Sequence, residues 1–285
     1  MEGINGYAGW GSMALGGGAN VHSNGSIAAG RRTATYAAYS VALGNNTKTN
    51  VAYQLAVGTL NNNVPAGTSS LFVLGNGYMK NGVENRSNAF YITTKGLAFA
   101  NGTQLTGADY AEMFEWWDQN PKGEDRIGHL VTLNGTKISI CGANDKPLGI
   151  ISGAASVIGD SAGLNWNKKY LTDSFGRIIY DYEEEFIEMF NPETNKNDIV
   201  SNGIIPRPRL NPEYNPDEEY IPREERPEWA TVGLLGKIYT RDDGTCVPGG
   251  YGRPADGGIL TYSEEETQFY IMERTDDNIV LVFLK

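Results

Sequence analysis

The chain has 285 residues, 23 basic and 34 acidic side chains, and a formal net charge of −11. Such an acidic chain lacks the positive surface that would neutralise phosphates, so its composition argues against nucleic-acid binding. It has two cysteines, Cys141 and Cys246, and no apolar run near the ~18 residues that a membrane span requires, so we expect free buried thiols and no membrane insertion.

The two parts of the chain differ in chemistry. Residues 1–108 contain two acidic and six basic side chains, whereas residues 109–285 contain 32 acidic and 17 basic ones. Of the 12 prolines only Pro65 lies in the first part. Segments with such different compositions do not favour a shared core, so we predict a domain junction between residues 108 and 109.

Four short segments recur with a period of 14 residues in the first part. Each has Ala at its third position and Gly at its fifth: Ser12-Met13-Ala14-Leu15-Gly16, Ser26-Ile27-Ala28-Ala29-Gly30, Ser40-Val41-Ala42-Leu43-Gly44 and Gln54-Leu55-Ala56-Val57-Gly58. A unit of this length suits one coil of two short strands and two turns, with Gly where φ is positive and Ala in a crowded interior. Four coils bury little apolar surface, so association of several chains would cover their exposed faces.

This repeat resembles the head domain of trimeric autotransporter adhesins, a left-handed parallel β-roll trimer whose unit also recurs in phage tail spikes. The match covers about residues 7–60, and we assign residues 1–60 to head-like repeats. Residues 61–108 are rich in Asn and Gly and contain strand-like segments at 70–74 and 89–93, which predicts a β-rich stalk.

The second part begins with an aromatic segment, residues 111–117, that predicts a short helix. Residues 130–133 and 137–140 flank Asn134-Gly135, which is a strong hairpin signal. The acidic segment 206–227 holds six prolines and predicts a long, exposed, extended arm. Further strands are predicted at 148–151, 155–158, 234–240 and 278–284.

Few side chains could support nucleophilic or metal chemistry. The two histidines, His22 and His129, are remote in sequence and far from either cysteine, so we expect no zinc site. No serine or cysteine lies in a nucleophile-elbow pattern, and the Gly-rich stretches lack the order of a phosphate-binding loop. We therefore expect no metal and no cofactor, which leaves carboxylate chemistry.

Two acidic residues at the junction, Asp109 and Glu112, are three positions apart. On a helix starting here both would lie on one side, with Trp116 on a similar face. Such a pair can supply a base toward a water molecule and an acid toward a leaving amine. The same spacing also forms a capping box at a helix start, which is the commoner role of these residue types. The residues by themselves leave both interpretations open.

Several blocks of the second part resemble the autoproteolytic intramolecular-chaperone domain of phage tail-spike and pre-neck appendage proteins, classed among glutamic-type peptidases. They span about residues 107–285: Gly107-Ala108-Asp109-Tyr110-Ala111-Glu112-Met113-Phe114-Glu115-Trp116, Glu124-Asp125-Arg126-Ile127-Gly128, Leu148-Gly149-Ile150-Ile151-Ser152, Tyr220-Ile221-Pro222-Arg223-Glu224-Glu225-Arg226-Pro227-Glu228-Trp229, Val232-Gly233-Leu234-Leu235-Gly236-Lys237 and Arg241-Asp242-Asp243-Gly244-Thr245-Cys246.

The resemblance implies that the chain cuts itself immediately before the Asp of its D-Y-x-E motif. The scissile bond is then Ala108–Asp109, and Asp109 and Glu112 are the catalytic pair. Ala108 has no hydroxyl group that could attack, which leaves direct carboxylate assistance or an activated water. We prefer Glu112 as the base and Asp109 as the group that orients or protonates the departing nitrogen, and the opposite assignment stays open.

The resemblance also implies a mainly β homotrimer: an N-terminal left-handed parallel β-roll and stalk, then a β-rich chaperone domain over 109–285 with a short helix. We expect a piece of a longer phage spike, made in the bacterial cytoplasm and carried in the virion tail, whose chaperone domain is released after assembly by one cut per chain. A host surface glycan or receptor is a candidate partner. The alternative is a non-enzymatic trimeric adhesion or carbohydrate-binding module in which Trp166 and Trp229 stack on sugars.

Overall fold

The computed structural model describes residues 10–63, 70–100, 102–162, 169–191, 194 and 196–285. Within these residues the regular secondary structure is almost entirely β-strand, and the one helical element is the 3₁₀ turn Arg223–Glu225. The chain divides into two compact units, residues 1–103 with 172–209 and residues 104–171 with 210–285. The described part contains no helix long and apolar enough to span a bilayer. The prediction of a mainly β fold is confirmed.

The strands are numbered in chain order. The first twelve are β1 (Met13–Leu15), β2 (Asn20–Val21), β3 (Ile27–Arg31), β4 (Ala34–Thr35), β5 (Val41–Asn45), β6 (Lys48–Thr49), β7 (Leu55–Thr59), β8 (Ser70–Asn76), β9 (Tyr78–Lys80), β10 (Val83–Asn85), β11 (Asn88–Thr93) and β12 (Ala98–Ala100). The others are β13 (Asp109–Glu115), β14 (Leu130–Asn134), β15 (Lys137–Ile140), β16 (Gly149–Ile151), β17 (Val157–Gly159), β18 (Tyr180–Asn191), β19 (Lys196–Pro208), β20 (Trp229–Arg241), β21 (Tyr251–Ala255), β22 (Ile259–Ser263), β23 (Phe269–Asp276) and β24 (Ile279–Leu284).

The 14-residue repeats form a stack of parallel coils. Strands β1, β3, β5 and β7 pair in parallel, and each residue lies beside its equivalent in the next repeat. The short strands β2, β4 and β6 form a second parallel sheet. The repeated alanines Ala28, Ala42 and Ala56 are 0 % exposed, because they fill the space inside the coil. The predicted coil of two strands per repeat is confirmed.

The repeated glycines allow the coils to approach one another. Gly44 has φ +119°, and a Cβ atom built there would lie 2.0 Å from the carbonyl oxygen of Gly58. An added side chain would meet backbone, which cannot move aside without separating the coils. The period of 14 residues therefore depends on glycine at this position as much as on alanine inside the coil.

The first unit continues with β8, β11 and β12 beside the last repeat, and it also contains the long antiparallel hairpin of β18 and β19. The sequence did not predict this hairpin. Pro206 and Pro208, which we assigned to an extended arm, pair with Tyr182 and Tyr180 across it. Each strand of a two-stranded sheet has one unpaired edge, which tolerates residues that cannot donate a backbone hydrogen bond.

The second unit is built around a ten-stranded sheet. Its longest strand, β20, pairs with β13, β16 and β24. Buried side chains from β14, β16, β20 and β22 to β24 form its main core, among them Leu130, Ile150, Phe269, Val282 and Leu284. The predicted hairpin of β14 and β15 is confirmed, with Asn134 paired to Lys137.

The prediction of a short helix at residues 111–117 is wrong. This segment lies in strand β13, which pairs antiparallel with β20 and parallel with β17. Asp109, Ala111 and Met113 are buried, whereas Tyr110 and Glu112 are exposed. This alternation has the period of a strand, and pairing on both sides outweighs the local helical preference of the segment.

Candidate active site at the Ala108–Asp109 junction

Asp109, the first residue of β13, is only 2 % exposed. Its side chain lies against the backbone of Gly233 on β20, where a Cβ atom would come within 2.9 Å of the Asp109 Oδ2 atom. Among the described residues, this buried Oδ2 atom has no hydrogen-bond partner. A buried carboxyl oxygen without a partner is costly for folding, and such sites are typical of catalytic positions.

Glu112 lies on the opposite face of β13 from Asp109. Its side chain is exposed and passes over Gly159 of β17, where a Cβ atom would lie 2.9 Å from the Glu112 Cγ atom. Three residues of strand separate the two Cα atoms by about 10 Å. The expectation that both carboxylates lie on one side was wrong, because it assumed a helix.

Hydrogen bonds hold the backbone on both sides of the Ala108–Asp109 bond. The Asp109 carbonyl oxygen accepts hydrogen bonds from the backbone N–H and the hydroxyl of Ser156, both at 3.0 Å. The Ala108 carbonyl oxygen accepts one from the backbone N–H of Lys237, with an N···O distance of 3.3 Å. Ala108 itself is exposed, so water can reach the peptide.

The neighbours of the pair on β13 have structural roles. Glu115 accepts a hydrogen bond from the Lys137 ammonium group at 2.7 Å. This bond, together with one from Gln119, holds the pKa of the Glu115 carboxyl below its usual value. Trp116, which we expected beside Glu112, is buried in a core cluster with the Arg126 guanidinium 4.5 Å above its ring. Neither group is available to the junction.

The two cysteines are buried and have no nucleophilic character. Burial, with a contribution from Asp145, raises the pKa of the Cys141 thiol to about 11. The pKa of the Cys246 thiol is raised to about 12, mainly by burial and to a smaller extent by the negative charges of Asp242 and Asp243. A thiol acts as a nucleophile only when ionised, so neither cysteine is equipped for catalysis near neutral pH.

We expect iodoacetamide to leave both cysteines unmodified in the folded protein at pH 8. At that pH about one in a thousand Cys141 thiols is ionised, and fewer Cys246 thiols. Mass spectrometry of the folded and the urea-denatured protein checks this, with two added groups expected only after unfolding. Rapid labelling of either thiol in the folded state would contradict the assigned burial.

The histidines and aromatic residues singled out from the sequence have other neighbours. His22 stacks on Tyr36 with a ring separation of 4.8 Å. The His129 Nδ1 atom lies 2.9 Å from the Gly257 carbonyl oxygen, and burial lowers the pKa of this imidazole. The Arg223 guanidinium covers one face of Trp229 at 3.8 Å. Trp166 lies outside the described residues.

The model of the family described as Peptidase_G2, IMC autoproteolytic cleavage domain, matches residues 27–278. The chain belongs to this family. The match begins inside the second repeat, so the Peptidase_G2 region includes most of the coils as well as the Ala108–Asp109 bond. The resemblance inferred from the sequence motifs is confirmed.

This Peptidase_G2 chain is similar in sequence to phage proteins. The pre-neck appendage protein of Bacillus phage B103 is 34% identical over 198 residues, which is 68% of this chain and 21% of that protein. The preneck appendage protein of Bacillus phage PZA is 36% identical over 156 residues, 55% of this chain and 16% of that protein. This chain therefore spans about a fifth or less of the length of these relatives.

The structural comparison agrees with the fold. The crystal structure of pre-mature bacteriophage phi29 gene product 12 superposes with a TM-score of 0.62 at 22% identity, over 96% of this chain and 34% of that one. At this identity the likeness describes the fold. It extends over both units of the Peptidase_G2 chain, including the coils.

The sequence predicted Asp109 and Glu112 as the catalytic pair, which stays a prediction, and it did not point to the residues that surround the Ala108–Asp109 bond. Ser156 holds the Asp109 carbonyl, and Gly233 and Lys237 on β20 contact Asp109 and Ala108. The block Val232-Gly233-Leu234-Leu235-Gly236-Lys237 was a visible signal, since it carries part of the family resemblance. Its pairing with residues more than a hundred positions earlier required the structure.

Proposed function

We propose that this chain cuts its own Ala108–Asp109 bond once and thereby separates residues 1–108 from the domain 109–285. The observation that carries this proposal is the buried, unpartnered Oδ2 atom of Asp109, on the residue that supplies the nitrogen of the bond. The chain belongs to a family of autoproteolytic cleavage domains, which supports the same reaction. Because the bond that is cut and the residues that cut it belong to the same assembly of identical chains, no turnover on foreign proteins is expected.

The proposed chemistry is hydrolysis assisted by two carboxyl groups, as in a glutamic-type peptidase. A water oxygen attacks the Ala108 carbonyl carbon while a Glu112 carboxylate takes the proton of the water. The carbonyl bond then re-forms and the C–N bond breaks, and the Asp109 carboxyl delivers a proton to its own departing nitrogen. Proton transfer from Glu112 through solvent restores Asp109, so the net reaction consumes one water molecule.

The Glu112 carboxylate in this scheme comes from a neighbouring chain. Within one chain Glu112 and Asp109 occupy opposite faces of β13, about 10 Å apart along the strand, so they cannot share one water molecule. An exposed Glu112 side chain is free to reach the junction of a second copy. Cleavage would then require assembly, which makes the cut a checkpoint for correct folding.

A homotrimer is supported by the apolar faces of the first unit. Residues that alternate with the alanines of the repeats point away from the coil interior and are exposed: Met13, Leu15, Ile27 and Leu43. Leu74 on β8, beside the last repeat, is also exposed. On the hairpin of β18 and β19, Ile199 is 72 % exposed and Ile204 is 71 % exposed. Contiguous apolar surface of this kind is typical of an interface between chains.

A removable chaperone domain would help the parallel coils of several chains to fold together. Pairing between chains is non-local and slow, and its intermediates expose strand edges that aggregate. A separately folding domain that aligns the chains lowers the entropic cost of starting the stack. After cleavage the spike no longer carries its chaperone, so its stability is kinetic and depends on a high barrier to unfolding.

The names of the relatives support a place in the phage particle. We propose that residues 1–108 belong to a spike or appendage in the virion tail, made in the bacterial cytoplasm, and that residues 109–285 are released after assembly. The rest of the spike and a host surface glycan or receptor are the proposed partners. The carbohydrate-binding alternative has less support, because Arg223 already occupies one face of Trp229.

The cut is expected to give two fragments, 1–108 and 109–285, when the purified protein is run on a denaturing gel. Mass spectrometry should find Asp109 as a new N-terminus, because hydrolysis frees its amine. Unfolded protein recovered from inclusion bodies and kept in denaturant is the control and should remain intact. Folded, assembled protein that stays at full length would favour the non-enzymatic binding module.

A further inference from the structure

The carbonyl group of the proposed scissile bond lies at the end of a strand ladder. Asp109 pairs with Gly236, and one step further the Lys237 N–H donates to the Ala108 carbonyl oxygen at 3.3 Å. In most ladders such a bond only holds two strands together. Here its acceptor is the oxygen that would gain negative charge when water attacks the Ala108 carbonyl carbon.

Gly236 is what permits this approach. It has φ +112°, and a Cβ atom at this position would lie 2.5 Å from the Ala108 carbonyl oxygen and 3.1 Å from the Asp109 Cα atom. A side chain would therefore push the scissile carbonyl away from the Lys237 N–H. On the other side of the peptide, Ser156 fixes the Asp109 carbonyl with two hydrogen bonds. These contacts fix the backbone on both sides of the scissile bond.

The distance of 3.3 Å suits a donor that acts mainly in the transition state. It exceeds the usual N–H···O distance of about 2.9–3.0 Å, so the bond stabilises the uncut peptide only weakly. When water attacks, the carbonyl π electrons move to the oxygen, and a charged acceptor draws a donor closer than a neutral one does. Interactions that strengthen in the transition state are the ones that accelerate a reaction.

We propose that the Lys237 backbone N–H is the oxyanion donor for cleavage and that Gly236 is the residue that lets it reach Ala108. This rests on the proposed cut at Ala108–Asp109. The tetrahedral oxyanion collapses back to a carbonyl as the C–N bond breaks, so the donor exchanges no atom with the substrate. The Lys237 side chain has no part in this role.

The test replaces the donor without changing the fold. An α-hydroxy acid incorporated at position 237 of the full chain substitutes an ester oxygen for the backbone N–H. We expect cleavage after refolding to slow by about 100- to 1,000-fold, the usual effect of losing one oxyanion donor. The matched control is an ester at Arg241 on the same strand, whose N–H donates to the Gly128 carbonyl at 2.9 Å, away from the junction. That variant should cleave at nearly the normal rate.

A second variant covers the case in which the ester disturbs assembly. Gly236→Ala should also slow the cut, whereas Gly249→Ala, with φ +85° and no neighbour within 4 Å of the new Cβ atom, should not. In both variants the slower cleavage should show the same pH dependence as cleavage of the unmodified chain, because the carboxyl groups of Asp109 and Glu112 are unchanged. A shifted pH profile in both position-236 and position-237 variants would overturn the proposal in favour of an indirect effect on the carboxyl groups.

The remaining outcomes separate this inference from the function on which it rests. Normal cleavage at Ala108–Asp109 in the folded ester variant would overturn the oxyanion role and leave the proposed function standing. An unmodified chain that folds, assembles and is never cut, or is cut elsewhere, would overturn both.

Discussion

Replacing Glu112 with glutamine is expected to leave the chain at its full length after folding and assembly. The amide keeps the size of the side chain but cannot take a proton from water. Loss of a general base typically slows a reaction by about 100- to 10,000-fold. The measurement is the fraction of fragment 109–285 on a denaturing gel over time, with circular dichroism to verify the fold.

Glu115→Gln is the matched control, because it makes the same change three residues further along β13. Glu115 is held by Lys137 and Gln119 and is predicted to take no part in the reaction. This variant should cleave normally, with at most a small loss of stability from the weakened ion pair. Normal cleavage by Glu112→Gln itself would exclude Glu112 as the base.

Mixing two inactive chains tells whether the site is shared between copies. We co-express Asp109→Asn chains with Glu112→Gln chains, each with a tag of distinct mass. If Glu112 acts on a neighbour, the Asp109→Asn chain supplies its glutamate to the intact Asp109 junction of the other chain, and only the Glu112→Gln chains are cut. Each variant on its own should be inactive and the unmodified chain active. If no chain is cut in any mixed assembly under these conditions, the site is not shared.

Replacing Gly44 with alanine is expected to disrupt the stack of coils. The new Cβ atom would lie 2.0 Å from the Gly58 carbonyl oxygen, and φ +119° lies outside the left-handed region that non-glycine residues tolerate. Backbone strain alone costs about 1–3 kcal/mol, and separating the coils adds to it. Thermal unfolding and limited proteolysis of residues 10–63 measure the loss.

Gly82→Ala is the control for this substitution. Gly82 also lies in the first unit, has φ +78°, and leaves an added Cβ atom with no neighbour within 4 Å. It should therefore show the cost of a positive φ without the backbone collision. Equal losses for the two variants would mean that close packing between coils contributes little to the stack.

The amino-acid sequence by itself determined the repeat. Alanine and glycine recur every 14 residues, and each position has a local reason: a methyl group is all the interior admits, and only glycine fits between successive carbonyls. Contacts between equivalent residues of adjacent coils are close in sequence, so periodicity is enough to predict them. The charge and proline contrast predicts a junction at residue 108, and this stays a prediction, since the compact units divide between residues 103 and 104 and the first also includes 172–209.

Only the tertiary structure decided what the segment after that junction is. Residues 109–115 carry the local signals of a helix start, but pairing with β20 and β17 makes them a strand. The pairing with β20 joins residues more than a hundred positions apart, and no local pattern encodes it. Because side chains alternate across a strand, the same pairing buries Asp109, turns Glu112 to the opposite face and brings Lys237 to the Ala108 carbonyl.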